Sequence, residues 1–162
     1  MKNESQYNLF IQFLNGIFFL LFILFCIDSF TDVDITNQEL KSVVYFGILV
    51  ITPIILVVNS LFHEELKPKI KSIIIPFLVF AFIIIIGPTK IVFSSSVWKT
   101  NKVLFINKDN QNHKIEFQRQ DVGALGYNKR TVEVIHCCSF FMIVKSKNKN
   151  FENNTNWIKI GK

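Results

Sequence analysis

The first half of this chain carries its apolar residues in long blocks, and the second half carries them in alternation with polar ones. Leu9 to Ile27 is a run of 19 residues without a charge, and Val43 to Phe62 is a run of 20. Ile73 to Thr89 is a run of 17, extended to Phe93 if Lys90 snorkels toward water. About 20 apolar residues form a helix that crosses a hydrocarbon core of about 30 Å. In lipid the backbone must satisfy its own hydrogen bonds, so such runs are helical. Three transmembrane helices are expected, near 9–27, 43–62 and 73–93, with Gly87-Pro88 ending or kinking the third.

After Val97 the pattern changes. Val103-Leu104-Phe105-Ile106 is a short apolar run that ends in the turn-like Asn107-Lys108-Asp109-Asn110. Lys114 to Gln118, Thr131 to Ile135 and Trp157 to Ile160 alternate with period two, and Phe140 to Val144 is a second apolar run. Runs of this length, bounded by Asn, Asp and Gly, are strand signals. The expected fold class is a membrane α+β protein. Residues 1–96 form its membrane domain, and residues 97–162 form a small, mostly antiparallel sheet of four or five strands. A sheet that small has little core of its own and is expected to lean on a lipid surface, the helices or a second copy.

Composition sharpens the picture. Half of the 162 residues are hydrophobic and the formal net charge is +6. That balance argues against a disordered chain, a disulfide scaffold or a soluble enzyme. The charge is uneven. Residues 97–162 hold 12 Lys and Arg against 5 Asp and Glu, whereas residues 1–96 hold 6 against 7. A basic domain tethered at a membrane meets anionic lipid first, at about 1 kcal/mol per Lys or Arg near the surface. Lys outnumbers Arg 16 to 2, which argues against base-specific reading of nucleic acid. Membrane lipids, anionic ones included, and a protein partner or second copy are the expected partners.

Orientation follows from the loops. The positive-inside rule counts Lys and Arg near the membrane. Lys67, Lys69 and Lys71 put the second loop inside, and the acidic first loop, Asp28 to Ser42, goes outside. The tail opposes this assignment: Lys2, Lys67, Lys69 and Lys71 inside are matched by Lys41, Lys90, Lys99 and Lys102 outside. The length of the tail tips the expectation narrowly to an outside domain on a protein of the inner or plasma membrane. The amino terminus has one lysine before its apolar run and no small-residue cleavage site after it, so a retained anchor is expected. Phe25 before Cys26 does not suit lipoprotein processing.

Candidate chemistry is sparse. Within the helices, Gln12, Asn15 and Gly16 share one face of the first, and Tyr45, Thr52 and Asn59 recur every seven residues in the second. Such residues are expected to pack helices together. None of the three runs holds Asp, Glu, Lys or Arg, so no ion or proton path is indicated. Asp121 to Arg130 joins two strand candidates through Gly123 and Gly126, followed by Tyr127, Asn128, Lys129 and Arg130. It reads as a hairpin connection or as a recognition loop for an anionic group.

His136-Cys137-Cys138 is the soft-ligand cluster. On a strand His136 and Cys138 would share a face, and His113 would be a third ligand only if the fold brought it across. Zinc sites want three or four protein ligands, so no metal or other cofactor is expected. Adjacent cysteines suit a disulfide poorly. His63-Glu64-Glu65 lacks the second histidine of a zincin helix, and Ser94 to Ser96 lacks the glycines of a nucleophile elbow. Asn3-Glu4-Ser5 and Asn153-Asn154-Thr155 match a glycosylation sequon, which matters only in a secretory pathway.

The first functional expectation is a non-catalytic accessory or interaction subunit that presents a basic β domain at a membrane. The alternatives are a small immunity protein against a membrane-active toxin, and a metal- or thiol-dependent enzyme built on His113, His136, Cys137 and Cys138.

Overall fold

Long apolar runs become long helices, and the alternating tail becomes a sheet. The computed structural model describes residues 2–62, 66–147 and 156–160. Helix α1 spans Lys2–Phe30, α2 Gln38–Phe62, α3 Leu66–Ile86 and the short α4 Pro88–Ser94. Strand β1 (Val33–Ile35) lies between α1 and α2. Strands β2 (Trp98–Asn107), β3 (His113–Asp121), β4 (Tyr127–His136), β5 (Phe141–Lys147) and β6 (Trp157–Lys159) follow α4. The segment His63-Glu64-Glu65 and the second sequon lie outside the described residues.

Three helices, α1 to α3, are long and apolar enough to cross a membrane. The expected extension of the third to Phe93 does not occur. Gly87 adopts φ 91°, a left-handed conformation that stops α3, and Pro88 opens α4 as a first helical residue. The Gly87 carbonyl accepts from Lys90 N at 3.0 Å, so one residue closes one helix and starts the next. At the start of α2, Asn37 Oδ1 accepts from Leu40 N at 2.8 Å, a side-chain cap for an orphan amide.

By contacts the chain forms two units: residues 1–25 with 43–92, and residues 26–42 with 93–162. A boundary drawn by composition at 96/97 leaves the first loop with the helices. By contacts that loop belongs to the sheet.

In the helix unit the buried residues follow heptad spacing. Ile11, Phe18 and Phe25 line α1, and Tyr45, Ile48, Thr52, Ile55 and Asn59 line α2. Spacings of seven, split as three and four, keep one seam of a helix toward its neighbour. Phe25 meets Tyr45 edge-on at 5.1 Å. Asn15 and Asn59 exchange two amide hydrogen bonds at 3.2 and 3.1 Å, and Asn59 Nδ2 also donates to Ser72 O at 3.0 Å. One fully buried amide therefore ties α1, α2 and α3 together. Gln12 and Gly16, expected on the same packing face as Asn15, are exposed, and a Cβ at Gly16 would meet nothing within 4 Å. The close approach is at Gly47, where a Cβ would stand 2.8 Å from Leu21 Cδ1.

The sheet is antiparallel and six-stranded, in the order β1-β5-β4-β3-β2-β6. The extra strand is β1, which pairs Val33, Asp34 and Ile35 with Ile143, Met142 and Phe141. Val132, Val134, Met142 and Val144 form a small apolar core with Trp98 packed against it. The turn after β2 is set by Asn107, whose Oδ1 accepts from Asp109 N at 2.9 Å.

Candidate functional site

Strand β3 buries its polar set in addition to Ile115, which is fully buried on the opposite face. A half-buried strand normally buries its apolar set and leaves its polar set in water. Here Glu116 and Gln118 are 1% and 0% exposed, Gln120 is 8% exposed, and Phe117 is only half-buried. Register explains what the polar face meets. Gln118 lies opposite Thr100 on β2 and Arg130 on β4, and Gln120 lies opposite Trp98 and Asn128. Directly opposed residues point to the same side, so these side chains share one face, buried at Gln118 and Gln120 and exposed at Thr100 and Asn128.

They form a continuous chain. Arg130 pairs with Asp34 on β1 and donates from Nε to Gln118 Oε1 at 2.9 Å. Its guanidinium lies 4.0 Å from the centre of the Trp98 ring, a cation–π stack. Gln118 Nε2 donates to Glu116 Oε2 at 2.9 Å, and Thr100 Oγ1 donates to the same oxygen at 2.6 Å. The other oxygen, Oε1, meets His136 Nε2 at 2.9 Å. The His136 side chain is 30% exposed, so the chain opens to water at that end.

Burial, the largest single influence, pushes the Glu116 carboxyl up. Hydrogen bonds from His136, Thr100 and Gln118, with the charge of His136, together outweigh it and hold the group down at about 2. Glu116 is therefore an anion throughout the physiological range with both oxygens occupied. A general base works best near the operating pH with a free lone pair. This carboxylate instead serves as a fixed post. Burial lowers the Arg130 pKa, and the charges and hydrogen bond of Asp34, with Asp28 and Glu116, oppose that shift. The guanidinium stays charged.

A second buried pair lies in the same unit. Lys41 Nζ meets Asp28 Oδ2 at 2.9 Å with both side chains within 3% of full burial, and Asp28 Oδ1 accepts from Ile35 N at 2.6 Å. The apolar runs excluded both residues, yet the helices extend to include them. At the entry to β2, Gln38 accepts from Val97 N at 3.0 Å and donates to Ser95 O at 3.1 Å, while Gln120 donates to Ser96 O at 2.8 Å. These bonds strap the entry into β2 onto the polar face.

The residues singled out from sequence are scattered. Val122 to Gly126 is the whole β3–β4 connection, with a single 3-10 turn at Gly123–Leu125 and positive φ at Gly123 and Gly126. Tyr127, Asn128, Lys129 and Arg130 belong to β4 rather than to a loop. Lys129 and Arg130 do not act together: Lys129 is exposed, whereas Arg130 turns into the sheet interior. His113 lies opposite Ile135, so it and His136 point to opposite faces. His113 meets Glu133 at 2.7 Å and His136 meets Glu116. Strand β4 ends at His136, so Cys137 and Cys138 lie in the following turn as exposed free thiols. Among the described residues no three His, Cys, Asp or Glu side chains gather as a ligand set.

Asp34, Trp98, Thr100, Glu116 and Gln118 drew no notice from the sequence. One signal was present: polar residues at every second position of β3, a set that a strand can bury only in company. Comparison with known protein families, curated proteins and solved structures finds no match to this chain.

Proposed function

We propose that this protein is a membrane-anchored interaction subunit that displays a rigid basic sheet at the membrane surface and performs no chemistry of its own. The observation that carries the reading is the interior chain Asp34–Arg130–Gln118–Glu116–His136. It commits the buried ionisable groups of the sheet to one another, which rigidifies a scaffold and leaves recognition to the outer side chains. The three long apolar helices supply the anchor. Their large apolar side chains face outward in quantity, Ile85 at 81% and Leu61 at 72% exposed among them, as lipid-facing residues do. The placement is the inner or plasma membrane.

The test is site-specific photocrosslinking from the exposed Phe140, Lys145 and Ile158 in native membranes, paired with turnover assays of the purified protein. A discrete protein adduct that depends on position supports the reading. Turnover by the purified protein alone, abolished by Glu116→Gln, overturns it.

A further inference from the structure

The register of β2, β3 and β4 lines up like charges. Lys99 lies opposite Arg119, and Arg119 lies opposite Lys129. The three are exposed and share the face of the sheet opposite the Glu116 interior. A bulge between Thr100 and Lys102 inserts one residue, so Lys102 opposes Phe117 and joins Lys99 on that face. The Arg119 guanidinium lies 5.9 Å from the Phe117 ring centre. The ion pairs of the described residues engage none of these four cations. Like charges directly opposed across a sheet repel, so a row of three is unfavourable until an anion covers it. One rung further, Asp121 shares the face and accepts from Gly123 N at 2.8 Å, which orders the turn.

The turn beyond that rung is apolar at its tip. Leu125 is 74% exposed and Tyr127 60% exposed. A cationic band backed by an exposed Leu and Tyr is the side-chain order of an interfacial contact. The aromatic and aliphatic groups enter the headgroup boundary while the cations meet phosphate. Strand β2, which carries Lys99, begins four residues after α4 in the chain. Nucleic acid would be served by the cations but not by the adjoining Leu125.

We infer that the Lys99–Arg119–Lys129 row, with Lys102 and the Leu125–Tyr127 tip, docks on an anionic phospholipid surface through its headgroup phosphates. The inference rests on the membrane reading of the helices. It makes lipid composition a regulator of how the domain is held and presented.

The test uses the full chain in lipid nanodiscs. A polarity-sensitive fluorophore is placed through Leu125→Cys in a Cys26→Ser, Cys137→Ser, Cys138→Ser background. Discs of phosphatidylcholine alone are compared with discs that also contain phosphatidylglycerol. At roughly five-fold in occupancy per cation, the four cations should favour docking about 600-fold in the anionic discs. Emission should shift to the blue there and revert in high salt. Each of Lys99→Gln, Arg119→Gln and Lys129→Gln should reduce docking about five-fold, with the near-ultraviolet signal of the Trp98–Arg130 stack retained to show that the sheet is folded.

An equal shift in both discs, or none in the anionic ones, overturns the inference. So does a shift produced in phosphatidylcholine discs by added RNA or inorganic phosphate that phosphatidylglycerol fails to produce. None of these outcomes touches the crosslinking or turnover result, so the two readings fail separately.

Discussion

The helix unit and the sheet unit bury polarity in opposite ways. The helix unit hides a few neutral groups, chiefly the Asn15–Asn59 amide pair and Thr52, whose hydroxyl turns back onto Ile48 O at 2.5 Å. The sheet unit hides charges: Glu116, Arg130, Asp34, Asp28 and Lys41. The difference follows from how much compensation each backbone offers. A helix satisfies its own backbone and brings few side chains together; the charges buried on helices, Asp28 near the end of α1 and Lys41 near the start of α2, meet each other, and Asp28 also accepts from Ile35 N of β1. A sheet places opposed side chains about 5 Å apart across every rung, so a charge can be met from two strands at once. Polar networks of this kind repay burial only when every member is satisfied.

The comparison can be broken most forcefully at the buried pair. Lys41→Ala removes the cation that meets the buried Asp28 carboxylate at 2.9 Å and should destabilise the sheet unit by about 3–5 kcal/mol. Replacing both, with Asp28→Asn and Lys41→Met, should recover most of that loss. Urea midpoints in detergent, followed through the Trp98 near-ultraviolet signal, decide it.

Next comes acid. The folded Glu116 pKa of about 2 lies below its ordinary value of 4.5. A depressed carboxyl contributes stability that is fully present above the ordinary value. That contribution disappears as pH falls from about 4.5 through about 2, and is worth on the order of 3 kcal/mol. Glu116→Gln should be less stable at neutral pH and should flatten this part of the stability–pH curve. A variant that keeps the full acid slope would assign it to other carboxyls.

The helix side should respond less. Asn59→Leu removes the amide that joins three helices and should loosen them by about 0.6–2 kcal/mol, read as faster disulfide trapping between cysteines engineered in α1 and α2. Smallest is Gly47→Ala. Its Cβ would press the end of the flexible Leu21 side chain, which can move, so a change of about 1 kcal/mol or less is expected. A large loss there would mean that α1 and α2 are locked more rigidly than their neutral seam implies.

Much of the fold was legible because its signals are local. Uncharged runs of about 20 residues announce helices, and period-two stretches announced β3 and β4. The short β1 was hidden because Val33-Asp34-Ile35 has no length or alternation of its own and is a strand only beside Phe141–Ile143. Arg130 was misread for a similar reason. Beside Lys129 in sequence it looks like half of a basic pair, but strand alternation sends the two to opposite faces.

By itself, then, the sequence determined where the chain is too apolar for water, where it alternates, and that its basic charge gathers past residue 97. The tertiary structure decided which face of β3 is buried, that the first loop belongs to the sheet, and that Asp28 meets Lys41 and Asp34 meets Arg130. Those outcomes depend on strand order and register. Both are set by pairing between segments far apart in the chain, and no local period encodes them.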